Sequence, residues 1–238
     1  MRREINAEVY DQNVLAEGLQ VQIDNYYQPK TIAQKRRIEL VVGLLDPQPD
    51  QKILDIGCGV GTFAYAAAKQ QSQAYGLDYS HESLKVAKLL ANRFKTGQNS
   101  VFVTASALSL PYKDNCFDKV VIADFIEHIT DPEKKLLLEE VWRVLKPGGE
   151  GVVFTPNAIR ENIGEIYWKL RHLVSKEKIP KTDLHYGLIS RRKFERILKQ
   201  NNFKFSFKYA DTTRPYLARI PLFNYLLALN LLWKIKKV

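Results

Sequence analysis

A chain of 238 residues with 45% hydrophobic and 26% charged residues has the balance of a globular protein and can bury a full core, most simply as one decorated α/β domain. Its two cysteines exclude a disulfide scaffold, and the polar start Met1-Arg2-Arg3-Glu4 lacks an apolar signal segment, so a reducing, cytoplasmic setting is expected. The net charge of +10 is uneven: residues 159–238 hold 18 Lys+Arg against 6 Asp+Glu, leaving 18 against 20 for residues 1–158.

Residues 1–48 read as an amino-terminal helical lid. Its first thirty residues are polar and aromatic (Tyr10, Tyr26, Tyr27), and Thr31 to Leu45 carries apolar residues at helical spacing before the Asp46-Pro47-Gln48-Pro49 turn. From residue 49 to 238 the pattern predicts one domain. Lys52 to Ile56 is a short apolar strand, Gly57 to Gly61 a glycine turn, and Thr62 to Gln71 an alanine-rich helix. Gln73 to Asp78 is a second strand, and Ser80 caps a helix ending near Gly97. Ser100 to Thr104 and Lys119 to Ala123 supply a third and a fourth strand, and Pro132 to Leu145 a helix. Lys146-Pro147-Gly148-Gly149 is expected to break that helix before a fifth strand, Gly151 to Thr155. Residues 158–190 read as an insertion, with Trp168, Leu170 and Leu173 suggesting a helix and a basic run reaching Lys181. Arg191 to Gln200 is a further helix, and Phe203 to Tyr209 alternates aromatic and polar residues like a strand with one buried face. Ile220 to Leu227 suggests a helix and Asn230 to Val238 a last strand.

Strands alternating with helices of this length predict a Rossmann-like, doubly wound α/β sheet of about seven strands, mostly parallel with an antiparallel edge. The informative run is Leu54-Asp55-Ile56-Gly57-Cys58-Gly59-Val60-Gly61-Thr62. A strand entering a glycine turn and then a helix points backbone N–H groups at a ligand, and missing side chains let the ligand come close. Asp78, 17 residues beyond Gly61 at the end of the second strand, can accept the hydroxyls of a ribose. A dinucleotide turn calls for a third small residue where Thr62 stands. Asp55, two residues before the first glycine, would repel a pyrophosphate and suits a ligand with an ammonium group.

Ile53 to Phe63 resembles motif I of class I S-adenosylmethionine-dependent methyltransferases. The resemblance extends through Ser109-Leu110-Pro111-Tyr112, Asn115-Cys116-Phe117-Asp118, Phe125-Ile126-Glu127-His128 and Leu145-Lys146-Pro147-Gly148-Gly149. It covers about residues 50–157 and is nearest to the broad small-molecule subgroup that includes quinone and sterol methyltransferases. It implies S-adenosyl-L-methionine as cofactor, with Asp55, Gly57, Gly59 and Gly61 around the methionine portion, Asp78 on the ribose and the turn Ala105 to Ala107 facing adenine. Cys58, Tyr79, Ser106 and Asp124 complete the expected cofactor set. Ser106 departs from the family, which usually has an acid there; its hydroxyl is a weaker, neutral acceptor.

A sulfonium cofactor brings its own leaving group, so the protein mainly aligns an acceptor with the methyl carbon. A general base is needed only if the acceptor must lose a proton. By position His128 is the best candidate, although it can equally hydrogen-bond the cofactor loop or orient Glu127; His185, beside Tyr186 in the 158–190 insertion that the resemblance implies is an acceptor lid, is the second. His81 and His172 read as surface residues. The expected partner is a small or lipid-like acceptor, with the basic carboxy-terminal third offering peripheral membrane contact. The absence of Asn-Pro-Pro-Tyr or Asp-Pro-Pro-Tyr after the fourth strand argues against nucleic acid, though the basic tail keeps RNA methylation in view. A non-catalytic cofactor-binding module and a dinucleotide oxidoreductase are the remaining alternatives. No Cys/His spacing suggests a metal site.

Overall fold

The computed structural model describes residues 7–175, 186–211, 213, 225–226 and 228–238. Three helical pieces precede the sheet. Helix α1 (Ala7–Glu17) is followed by α2 (Leu19–Gln22), which runs into a π-helical turn, Ile23–Tyr27, and then by α3 (Ile32–Leu45). α3 starts at a capping box in which Thr31 and Gln34 satisfy each other's backbone N–H. It stops at Asp46 in the left-handed conformation, where the buried Lys119 ammonium donates to the carbonyls of Leu45 and Asp46.

Strand β1 (Lys52–Ile56) leads through the glycine turn into α4 (Thr62–Lys69), then β2 (Gln73–Asp78), α5 (His81–Arg93) and β3 (Ser100–Thr104). α5 ends four residues before Gly97, which instead opens a short 3-10 turn. β4 (Phe117–Ala123) is followed by α6 (Asp131–Val144) and β5 (Leu145–Pro156). Here the structure corrects the expected break: α6 does end before Lys146, but β5 begins at Leu145 and continues through Pro147, Gly148 and Gly149. The reason is pairing. Leu145 already sits opposite Phe117 of β4, and a register shift over the next residues brings Glu150 opposite Lys119. Gly148 takes up that irregularity with φ +77°.

Beyond β5 come α7 (Ala158–Ser175), α8 (Arg191–Gln200), β6 (Phe203–Ala210) and β7 (Asn230–Lys237). Most of the helix expected over residues 220–227 lies outside the described residues. The seven strands form one sheet in the order β3-β2-β1-β4-β5-β7-β6. The first five pair in parallel, and β7 runs antiparallel to both β5 and β6. The doubly wound sheet with its antiparallel margin is the architecture expected from the alternating pattern.

Both faces are covered. On one side α3, α4 and α5 bring Val41, Leu45, Phe63, Ala67, Leu84 and Ala87 onto Ile53, Val121 and Val152. On the other, α6 and α8 bring Leu137, Val141, Phe194 and Leu198 onto Leu54, Ile122, Val153 and Trp233. Burial from both sides is why the central strands read as unbroken apolar runs. Winding outward from β1 in one direction and from β4 in the other opens a crevice at their carboxyl ends, the place where open α/β sheets bind ligands.

Candidate functional site

The crevice is walled on one side by the turn after β1. Gly57 and Cys58 donate their N–H groups to the Leu77 carbonyl at distances of 2.8 and 3.0 Å, and Gly61 closes the turn on Cys58. Gly57, Gly59 and Gly61 all have positive φ, between +50 and +88°, a conformation that strains other residues. Their surroundings differ. A Cβ on Gly57 would lie 2.3 Å from the Phe125 ring, and one on Gly61 would crowd Phe102 and the Tyr27 hydroxyl, but one on Gly59 meets nothing within 4 Å. Gly59 therefore faces the open crevice.

Asp78 ends β2 beside that opening. Its two oxygens accept the N–H groups of Gly59 (2.7 Å) and Ser80 (2.8 Å), and the Tyr79 N–H is a third donor, which leaves the carboxylate some acceptor capacity. Burial raises its pKa despite those bonds, and the carboxylate of Asp11 adds to the rise. Tyr79, next in sequence, is 61% exposed. The turn after β3 is tied to the same strand end by the Ala105 N–H on the Asp78 carbonyl. In that turn Ala107 is buried, and the exposed Ser106 accepts the Leu108 N–H on its hydroxyl oxygen. Part of the acceptor capacity expected of Ser106 is thus spent within its own turn.

Asp55 sits deeper than its neighbours, 1% exposed. Its carboxylate accepts the Ala64 N–H at 2.9 Å, so it closes the first turn of α4 and holds the glycine turn from beneath. Burial pushes its pKa up to about 7. The Cys58 side chain is likewise buried, against β2, and offers the crevice only its backbone.

The opposite wall comes from the end of β4. Asp124 has φ +52° and pairs with Arg37 of α3, whose guanidinium lies 5.0 Å from the Phe63 ring centroid. Glu127, 1% exposed, accepts the Thr155 hydroxyl at 2.9 Å. Burial, and then the neighbouring Asp124, push its pKa to about 8. His128 is half-buried on the same 3-10 turn, Ile126–His128. His185 lies outside the described residues, as does the rest of the segment 176–185. The Trp168 and Tyr10 side chains are also outside them.

Three contributors had no clear sequence signal. Arg37 falls at an ordinary helical position among Ile38 and Val41, and only its position in space pairs it with Asp124. Phe125 presses on Gly57. Tyr27 was legible as an aromatic of the lid but not as the donor to the Val60 carbonyl, 2.7 Å away within the glycine turn. The Asp118 of the Asn-Cys-Phe-Asp run, by contrast, is far from the crevice. It takes the Lys52 N–H and the Lys146 ammonium at the amino ends of β1 and β5.

The donor set fits S-adenosylmethionine. An open glycine backbone faces a strand-end carboxylate, and among the described residues Arg37 pairs with Asp124 and acts on Asp55, whereas Asp78 has no such cation. That balance suits an ammonium and a sulfonium and opposes a pyrophosphate.

Comparison with known proteins agrees with the geometry. Residues 47–204 match the family model described as a methyltransferase domain. Norajmaline N-methyltransferase of Rauvolfia serpentina is 39% identical over 112 residues, 46% of this chain and 38% of that protein. Demethylmenaquinone methyltransferase of Bacillus mycoides is 34% identical over 110 residues, 45% of each chain. These matches span less than half the length of the curated relatives. A SAM-dependent methyltransferase from Aquifex aeolicus superposes with a TM-score of 0.63 at 15% identity, over 96% of this chain and 98% of that one, a likeness of fold.

Proposed function

Because the chain belongs to the class I S-adenosylmethionine-dependent methyltransferases, we propose that it transfers a methyl group directly and in line to a small or lipid-like acceptor at the carboxyl edge of the sheet. The observation that carries this reading is the Gly59–Asp78 pair: a glycine facing open space, bonded through its N–H to a carboxylate with some acceptor capacity left.

The bound cofactor supplies a methyl group already activated by the sulfonium. Asp78 would hold the ribose and keep Gly59 oriented, while the exposed Tyr79 flanks the adenosyl side. Gly57, Gly59 and Gly61 would let the methionine portion lie against the backbone, and the backbone of Cys58 continues that surface. Asp55 acts through α4 by fixing the turn. Ser106 and Ala107 would bound adenine, and Asp124, held by Arg37, would border the methionine end. Glu127 is buried and bonded to Thr155, so it is less accessible to an acceptor than its neighbour. His128, adjacent and less buried, is the residue to receive a proton where the acceptor has one to lose, with His185 as the second such group. Pre-alignment is the protein's main contribution. The names of the relatives, norajmaline N-methyltransferase and demethylmenaquinone methyltransferase, support a small-molecule acceptor such as a quinone. The cysteine usage supports a cytoplasmic location.

The test is calorimetric titration with S-adenosylmethionine, its demethylated product and NADH, followed by incubation with radiolabelled cofactor and fractionated cell extract. Binding of the first two alone, with label in a small-molecule or lipid fraction, is expected. Label in the RNA fraction, or tight binding with no transfer to any fraction, would overturn the acceptor assignment; NADH binding in preference would overturn the cofactor.

A further inference from the structure

Helix α7 leaves the carboxyl edge of the sheet at Ala158 and runs for 18 residues. Ile159, Ile163 and Ile166 fall at i, i+4 and i+7, one stripe of the helix. Ile159 lines a hollow of about 370 Å³, shared with Arg191, Arg192, Glu195, Tyr209 and Tyr225. The stripe thus begins at two arginines of the first turn of α8 and runs away from them. Ile163 and Ile166 are 41% and 58% exposed. Single exposed apolar residues are ordinary on protein surfaces, but a helical stripe joined to a basic hollow is a surface with one composition.

The charge around it is mainly basic. The exposed face of α8 adds Arg196 and Lys199 to Arg192, while Arg191 is paired with Glu195, within a third of the chain that holds 18 Lys+Arg against 6 Asp+Glu. We propose that this face, with Ile163 and Ile166 of α7 beside Arg191 and Arg192 of α8, docks on the surface of an anionic phospholipid bilayer. The isoleucines enter the boundary between headgroups and acyl chains, and the arginines hold lipid phosphates. Charge complementarity selects this occupant. A second copy would bring a like-charged face against this one. RNA would answer the arginines, but aliphatic side chains offer its backbone and bases no hydrogen bond or stacking plane. Among the described residues no helix is long and apolar enough to cross a membrane, and the contact proposed is at the surface. It stands apart from the methyl-transfer reading.

The full chain is expected to co-sediment with vesicles of phosphatidylcholine mixed with phosphatidylglycerol, to be released as ionic strength rises, and to ignore vesicles of phosphatidylcholine alone. Ile163→Glu combined with Ile166→Glu should weaken vesicle binding by about tenfold or more. Its thermal midpoint and its S-adenosylmethionine affinity should not move. Ile163→Ser with Ile166→Ser gives the same readout should the glutamates lower the midpoint. Equal binding to neutral and anionic vesicles overturns the proposal, as does wild-type vesicle binding by both double variants. A dimer of this chain broken by these variants, or RNA retention, in either case without vesicle binding, also overturns it.

Discussion

A methyl group placed on Gly57 and one placed on Gly59 meet opposite surroundings, and this separates folding from binding within one turn. At Gly57 the added carbon would overlap the Phe125 ring at 2.3 Å in a backbone at φ +68°. Gly57→Ala should therefore destabilise the protein by about 2–4 kcal/mol in urea unfolding, combining strain with a displaced core aromatic. At Gly59 the carbon enters empty space at φ +50°, so Gly59→Ala should cost only about 1 kcal/mol of stability. It should nevertheless lose most of its S-adenosylmethionine affinity, because the methyl group stands where the ligand lies. Equal affinity in Gly59→Ala and the parent would remove this turn from the site. The buried acids make a second prediction. Asp55 at about 7 and Glu127 at about 8 bind protons more tightly folded than unfolded, where a carboxyl titrates near pH 4. The stability they contribute is complete below that unfolded value and is lost as pH rises through the folded ones. Glu127→Gln should flatten the fall in unfolding free energy between about pH 5 and pH 8, by a slope of at most about 1.4 kcal/mol per pH unit. A variant whose pH profile matched the parent's would show that Glu127 is ionised throughout. The sequence placed both acids near the crevice through their distance from strand ends. It could not show that Asp55 turns towards α4, because the direction of a carboxylate depends on which backbone N–H groups the fold leaves unpaired beside it.

Among the elements, the amino-terminal segment braces two turns beside the crevice. The Ser80 hydroxyl bonds to the Asp11 carboxylate, which also accepts the Glu82 N–H, so α1 completes the cap of α5 within two residues of Asp78. Tyr27 packs between Tyr65 and Phe94, at ring-centroid distances of 4.6 and 5.3 Å, and reaches the Val60 carbonyl. Burial raises its hydroxyl pKa well above the ordinary tyrosine value, so it stays a donor at any physiological pH. Tyr27→Phe keeps the ring packing and removes that one bond, leaving a buried carbonyl unsatisfied. It should lower the free energy of unfolding by about 1–2 kcal/mol and reduce cofactor affinity several-fold, since the turn it steadies is the turn that binds. Unchanged affinity would confine Tyr27 to a packing role. Elements with a clean period were legible in the sequence to within a residue or two: α3, β1, β2, β3 and α8 all begin or end where a cap or turn residue marks them. β5 was not, because Pro147 and Gly148 signal a break in any local reading. Only the partner strand, supplying Phe117 and Lys119 as neighbours, makes an extended chain through them favourable. The lid was legible as helical and aromatic, but its grip on Ser80 and Val60 depends on contacts spanning 69 and 33 residues, beyond the reach of periodicity.

At the scale of the molecule, function and charge lie on different halves of one sheet. The strands β3, β2, β1 and β4 carry the glycine turn, Asp78, the Ser106 turn and Asp124, and the amino-terminal helices reach these turns through Asp11, Tyr27 and Arg37. The β7–β6 margin, with α8 against it, carries the basic surface. The central strands, buried on both faces, should exchange their amide hydrogens only through global unfolding, whereas α2 and the π-helical turn rest on a small cluster (Ile23, Tyr27, Val60 and Leu90) and should open at lower cost. A ligand held by Gly59 and Asp78 binds only the state in which Tyr27 and Asp11 keep their partners in place, so it must shift the opening equilibrium of the lid. Hydrogen exchange read by mass spectrometry, with and without saturating S-adenosylmethionine, should show slower exchange across residues 19–27, 57–65 and 78–84. Exchange in β6 and β7 should be unchanged, because β4 and β5 separate that margin from β1 and its turn. Protection of β6 and β7 to the same degree as the lid would mean that ligand binding tightens the whole fold rather than the half that holds the glycine turn, and the division of the sheet into a binding half and a docking half would fail.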